Sequence, residues 1–102
     1  MNQDLADRPP SIHVAANKHL VIDFNSYDSA LYRQACHTLE QTFGFIQNGD
    51  TVTGLDEGIG PSFHRADVEI STGWDNWSGN YLLSNSSEGD DILQLLFARL
   101  SP

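Results

Sequence analysis

Apolar and polar residues alternate near the start of the chain, the pattern of a half-buried β-strand. Ile12 and Val14 form one such run, and Leu20 and Ile22 form a second. Residues 16–18, Ala-Asn-Lys, lie between them and suit a tight turn. The pattern predicts an opening β-hairpin.

The spacing of apolar residues then changes to every fourth position, which is typical of an amphipathic helix. The residues of this stripe are Tyr27, Leu31, Ala35, Leu39 and Phe43. Asn25-Ser26 precedes the stripe and is a candidate N-cap, and Gly44 follows it. One helix is therefore predicted between these boundaries.

Turn residues divide the segment that follows. Asn48-Gly49 lies between β-prone flanks in residues 45–52, and an Asn-Gly pair is a strong signal for a two-residue hairpin turn. Residues 54–61 contain three glycines and a proline around two acids. Because glycine and proline interrupt regular elements, we expect a second hairpin followed by an acidic loop.

Alternation returns over residues 63–72 and predicts one strand. Its two faces are Ala66, Val68 and Ile70 on one side and Arg65, Asp67, Glu69 and Ser71 on the other. Residues 73–79, Gly-Trp-Asp-Asn-Trp-Ser-Gly, are predicted to form a loop that leads to a shorter strand over residues 80–84.

The C-terminal segment has the pattern of a helix. Asn85 followed by Glu88 resembles a capping box. The apolar stripe beyond it consists of Leu93, Leu96, Phe97 and Leu100. These features predict a closing helix that packs on the sheet.

The chain has 102 residues, which suits one compact domain. Residues 1–10 are polar and end in Pro9-Pro10, so they are predicted to be a disordered lead-in, and residues 11–102 are predicted to form a single domain. The expected fold is α+β, an antiparallel sheet of hairpins with two helices packed on it in the order β-β-α-β-β-β-β-α.

The charge of the chain is strongly negative and unevenly distributed. The net charge is −9, and between Asp50 and Asp91 there are nine acidic residues against the single base Arg65. Binding to nucleic acid or to an anionic membrane is disfavoured, because both need lysine and arginine. The N-terminus lacks the basic and apolar regions of a signal peptide, and no apolar run approaches the length of a membrane span. A cytoplasmic location is expected.

The sequence contains no strong catalytic signature. His13, His19, His37 and His64 are scattered without metal-ligand spacing, so no metal or cofactor is expected. Asp67 and Glu69 on one exposed strand face would lack the desolvation that separates the pKa values of an acid and a base. Ser78 lacks the glycine pattern of a nucleophile elbow. We expect a protein that is not an enzyme.

Acidic and aromatic residues near the predicted 73–79 loop are the best candidates for partner binding. Tryptophan is enriched among interface hot spots, and strands disfavour acids, so acids in a strand need an explanation. The acids at the start of the last helix already have one in the helix dipole. The candidate set is Asp56, Glu57, Asp67, Glu69, Trp74, Asp75 and Trp77.

In its size, its charge and the segment from Gly73 to Ser84 that runs into Ser87–Asp91, the chain resembles bacterial immunity proteins of polymorphic and contact-dependent growth-inhibition toxin systems. The resemblance implies a function: an acidic protein, a monomer when free, neutralises a basic partner. That partner would be a cognate toxin domain, a nuclease, whose basic active-site surface the protein occupies.

Two other interpretations remain open. The Trp74/Trp77 loop is also typical of a carbohydrate- or small-ligand-binding module, since indole rings stack on sugars and carboxylates accept hydrogen bonds from hydroxyl groups. The same loop and an open sheet edge could instead be buried in a homo-oligomer as part of a structural subunit. At least one tryptophan could equally cover the end of the core.

Overall fold

The computed structural model describes residues 9–49, 52–54, 57–76 and 79–100, without the side chains of Val52 and Thr53. The predicted α+β fold is confirmed, with an antiparallel sheet and two helices. The strands are β1 (Ser11–Val14), β2 (Leu20–Asp23), β3 (Ile46–Asn48), β4 (Val52–Thr53), β5 (Glu57–Ile59), β6 (Ser62–Arg65), β7 (Val68–Asp75) and β8 (Gly79–Ser84), and the helices are α1 (Ala30–Gln41) and α2 (Ser87–Leu100).

Strand β7 organises the sheet. It pairs with β8 along one edge, and β8 continues the sheet through β2 to β1. Along its other edge, the first half of β7 pairs with β6 and the second half pairs with β5. These two strands pair in turn with β3 and β4. The two ends of β7 therefore have different neighbours.

The predicted hairpin at Asn48-Gly49 is wrong. Strand β3 pairs with β6, with Asn48 opposite Ser62, and Gly49 has a φ of 108° within one arm of a longer hairpin. That arm continues into β4, which pairs with β5, and the Gly54 N–H donates to the Glu57 carbonyl at 2.7 Å. Strand β4 is therefore the partner of β5, and the predicted loop over residues 54–61 contains the strand β5.

The single strand predicted over residues 63–72 is also wrong. Arg65 pairs with Val68, so β6 and β7 form a hairpin with Ala66 and Asp67 in the turn. Ala66 has a φ of 53°, the backbone conformation that such a turn requires. Asp67 is therefore a turn residue and does not share a strand face with Glu69.

Both helices begin later than predicted. The N-cap of α1 is Ser29, whose hydroxyl accepts from the Tyr32 N–H at 3.1 Å, and Tyr27 lies before the helix with 69% of its surface exposed. At α2, the Ser86 hydroxyl accepts from the Gly89 N–H at 3.0 Å, whereas Asn85 donates to the Ser71 hydroxyl. Asn25-Ser26 and Asn85 are thus not the caps.

The core lies between one face of the sheet and the two helices. The fully buried members of this core are Ile22, Phe24, Ala35, Leu39, Phe63, Ile70, Leu82, Leu93 and Leu96. Because side chains alternate across a strand, Asp23, Tyr81 and Gly73 lie on the opposite face of the sheet. Among the described residues, neither helix is long and apolar enough to cross a membrane.

Candidate functional site

Three acids from three strands meet at one end of the sheet face that lies opposite the helices. Asp23 of β2 is paired with Tyr81 of β8, and Glu57 of β5 is paired with Asp75 of β7. We call Asp23, Glu57, Asp75 and Tyr81 the acidic face. Glu57 is exposed, and the other three are partly exposed.

Tyr81 is fixed on this face by its close approach to the neighbouring strand. It is paired with Gly73 of β7, and a Cβ atom added at Gly73 would collide with the Tyr81 ring and hydroxyl. The ring therefore lies across position 73, where any side chain larger than that of glycine would collide with it. This packing places the Tyr81 ring over Gly73, on the same face of the sheet as the acids.

On the acidic face, Tyr81 experiences the charges of all three carboxylates, and Asp23 experiences the charge of Asp75. Burial raises the pKa of Tyr81, and the charges of Asp75, Glu57 and Asp23 raise it further. Burial also raises the pKa of Asp23, where His13 at 3.4 Å opposes the shift and Asp75 adds to it. Like charges held this close favour the binding of a cation.

Asp67 and Glu69 lie at the other end of β7. Glu69 is paired with His64, and its carboxylate is 3.8 Å from the His64 Nε2 atom. At about 3.3 Å of rise per residue, the Cα atoms of Glu69 and Asp75 are about 20 Å apart. The structure thus brings Glu57 and Asp75 together but not Asp67 and Glu69. Asp56 and Trp77 lie outside the described residues.

Trp74 lies on the helix side of the sheet, although its neighbour Asp75 lies on the acidic face. It is paired with Asn80 and Gly58, and its indole ring covers Gly58 so closely that a Cβ there would collide with it. Tyr27 packs against it edge to face, with ring centroids 5.8 Å apart and an interplanar angle of 80°. Trp74 and Asp75 therefore lie on opposite faces of the sheet at the same end of β7.

Trp74 and Tyr27 form two walls of a pocket with a volume of about 220 Å³. Its other principal lining residues are Tyr32, Pro61, Thr72 and Asn80. Pockets that enclose a drug-sized ligand have volumes of roughly 300 to 1,000 Å³. This pocket therefore suits a small chemical group and not a whole extended ligand.

Asn80 fixes the loop that carries Tyr27 over this pocket. Its side-chain oxygen accepts from the Asp28 N–H, and its side-chain amide donates to the Gly73 carbonyl at 3.4 Å. Its backbone N–H donates to the Ser26 carbonyl at 3.0 Å. A single buried side chain thus joins the β2–α1 loop to β7 and positions Tyr27 beside Trp74.

Asp90, at the start of α2, has a specific structural partner in addition to the helix dipole. One carboxylate oxygen accepts from the Leu20 N–H at 2.9 Å, and the other lies 3.0 Å from the His19 Nδ1 atom. These contacts attach the first turn of α2 to the β1–β2 turn. Asp90 therefore belongs to the fold and not to the candidate site.

Neither a reactive thiolate nor a metal-binding cluster is found among the described residues. Burial raises the pKa of the Cys36 thiol to about 11, so it is protonated at neutral pH. In the described ranges, no group of three His, Cys, Asp or Glu residues is placed to hold a metal ion. The chemistry available at the candidate site is charge and aromatic contact.

Sequence reasoning missed Asp23, Tyr81, Tyr27 and Tyr32 as site residues. Their strands gave no alternation that would have singled them out, because Asp23 follows three apolar residues in β2 and Tyr81 shares its face of β8 with Leu83. Their proximity to Glu57 and Asp75 depends on the strand register, which composition does not reveal. Tyr27 was assigned to a helix that begins after it.

Comparisons with known protein families, with curated proteins and with solved structures gave no match. A functional assignment therefore depends on the acidic face and the pocket themselves.

Proposed function

We propose that the protein binds a basic protein partner through its acidic face. On this proposal it is a cytoplasmic immunity protein that inhibits a cognate toxin, a nuclease, by occupying the toxin's basic active-site surface. The observation that carries the proposal is the meeting of Asp23, Glu57 and Asp75 around Tyr81, close enough to raise the pKa of the tyrosine. The protein would act by binding and not by catalysis.

The clustered charges support a cationic partner on energetic grounds. Acids held close together repel one another, and the approach of lysine or arginine side chains converts that repulsion into attraction. The net charge of −9 would also speed the encounter with a basic protein. Both effects favour a partner of opposite charge.

Tyr81 supplies the aromatic anchor of this proposed interface. Tyrosine is enriched among interface hot spots, because it combines a large apolar ring with a polar hydroxyl group. The ring already packs against the backbone of Gly73, so little conformational entropy would be lost when a partner covers it. In a nuclease, the surrounding carboxylates would contact the basic residues that otherwise bind phosphate groups.

A protection assay in cells tests the proposal. The product of the gene adjacent to this one is expressed alone and together with the protein, and growth is measured. We expect the adjacent gene product to be toxic alone and harmless in the presence of the protein. The double variant E57Q/D75N should protect less well, because it removes two charges from the acidic face.

The matched control is the double variant E40Q/D91N. It removes the same number of charges from exposed positions on the two helices, which pack on the other side of the sheet. It should protect as well as the unaltered protein. Equal loss of protection by both variants would place the effect in the net charge and not in the acidic face, and an adjacent product that is not toxic would argue against an immunity function.

A further inference from the structure

The pocket beside Trp74 has aromatic walls that face in different directions. The Tyr27 and Trp74 rings are 80° apart, and Tyr32 provides a third wall. Tyr32 is itself held by an edge-to-face contact with Phe24 at 5.3 Å. Because the face of an aromatic ring carries negative potential, walls set at right angles can surround a cation.

Two of the polar side chains that line the pocket, Thr72 and Asn80, are already hydrogen-bonded within the protein. The Thr72 hydroxyl donates to the Pro61 carbonyl at 2.7 Å, and both ends of the Asn80 amide are hydrogen-bonded. A sugar needs several donors and acceptors to pair with its hydroxyl groups, since unpaired polar groups are costly to bury. The pocket therefore suits a cation better than a carbohydrate.

The lysine and arginine side chains of the described residues do not occupy this pocket. Arg65 packs over the Phe45 ring at 5.0 Å and Arg99 over the Phe43 ring at 5.8 Å, so aromatic faces elsewhere in the protein do receive guanidinium groups. None of the described residues that line the pocket is basic. The net charge of −9 carried by the whole chain favours the approach of a cation from outside.

We infer that this pocket binds an alkylammonium group and that, if the proposed function holds, the group is a lysine side chain of the basic partner. A rounded ammonium head fits the corner that two perpendicular rings in contact form, whereas the planar guanidinium of arginine stacks on one face. The volume of about 220 Å³ accommodates such a head with part of its methylene chain. The pocket and the acidic face lie at the same end of β7, so one partner can reach both.

A titration followed by NMR tests ammonium recognition without any partner. The probes are choline, its neutral isostere 3,3-dimethyl-1-butanol, and N-acetyl-lysine methylamide. The signal is the indole N–H of Trp74, assigned by its loss in W74F. We expect choline and the lysine derivative to shift this signal in a saturable way and the neutral isostere to leave it in place.

Two variants of Tyr27 sharpen the test. Y27F keeps the aromatic face and should bind choline as the unaltered protein does. Y27L removes that face at a highly exposed position, so the fold should persist and the affinity for choline should fall by at least about threefold. Unchanged amide spectra away from the pocket would show that both variants fold.

Three results would overturn the inference. Equal binding of the neutral isostere would mean that the pocket recognises shape and not charge. Equal affinity of Y27L and Y27F for choline would show that the aromatic ring of Tyr27 does not contribute to binding. Binding of choline without the lysine derivative would point to a small-molecule ligand in place of a partner lysine. This titration uses no toxin, so its result does not depend on the protection assay. Ammonium binding by the pocket and the immunity function can therefore be disproved independently of each other.

Discussion

Asp90 links protonation to folding at the level of a single residue. Burial alone would raise its pKa, but hydrogen bonds from the Leu20 N–H and from His19 outweigh burial, so the pKa of this carboxyl group is lowered. The folded state therefore favours the ionised form. That contribution to stability is present above the ordinary pKa of 3.8 and is lost as the pH falls through the lowered value.

The variant D90N should destabilise the fold at pH 7 by up to about 1.5 kcal/mol, because its amide oxygen can still accept hydrogen bonds but no longer carries the charge that strengthens them. Urea unfolding at pH 7 and at pH 3 measures the effect. The difference between the variant and the unaltered protein should shrink at the lower pH. A difference that stayed constant would show that the charge of Asp90 is not the stabilising feature.

Asp23 provides a control, because its ionisation is expected to affect folding stability in the opposite direction to that of Asp90. Its pKa is raised, first by burial and then by Asp75, so its ionisation opposes folding as the pH rises through the raised value. D23N should therefore leave stability at pH 7 unchanged or increase it. Loss of stability in D23N equal to that in D90N would contradict these assignments.

The sequence predicted the helix at Asp90 but not the role of the residue. Acids at a helix start are explained locally by the helix dipole. The Leu20 N–H lies 70 residues away in the chain, and only the tertiary structure brings it to the carboxylate. Ser86 was likewise overlooked as the N-cap because Asn85 and Glu88 matched the capping-box spacing.

At the level of elements, apolar periodicity was enough to predict the order of strands and helices but not every turn. Phe63 is buried at an odd position, whereas Val68 and Ile70 are buried at even positions. A change of parity means that the chain reverses between Phe63 and Val68, and this signal was available in the sequence. The turn was hard to predict because it contains Ala66, and alanine is rare at turn positions with a positive φ.

The Ala66 turn makes a prediction about the β6–β7 hairpin. Its φ of 53° is unfavourable for alanine and free for glycine. A66G should therefore stabilise the protein by up to about 1 kcal/mol, after the greater chain entropy of unfolded glycine is subtracted. Thermal unfolding of the variant and the unaltered protein measures the change.

The matched control is A16G in the β1–β2 turn. Ala16 is exposed and has no positive φ, so glycine there only loosens the unfolded chain and should destabilise by about 0.5 kcal/mol. The two substitutions are chemically identical and should have opposite signs. The same sign for both would show that backbone conformation at Ala66 does not govern the stability of this hairpin.

At the level of the whole molecule, strand register creates the acidic face. Asp23, Glu57 and Asp75 are widely separated in the chain and come together only because β2, β8, β7 and β5 are neighbours. The composition led to the expectation of a positively charged partner. It did not predict which acids would act together, since pairing across the sheet is a tertiary property.

Adjacent residues at the end of β7 serve the two proposed contacts. Trp74 faces the pocket and Asp75 belongs to the acidic face, because successive side chains in a strand point to opposite sides. A partner that grips the end of the sheet would contact both sides. The proposed interface is therefore an edge of the molecule, with charge on one side and aromatic rings on the other.

The association rate with the toxin domain, measured at increasing salt concentration, tests the central claim most directly. At low salt, E57Q/D75N should associate several-fold more slowly than the unaltered protein, and E40Q/D91N should differ much less. The gap should close near 1 M salt, where the screening length falls to about 3 Å. Equal rates for the two variants at every salt concentration would contradict binding through the acidic face.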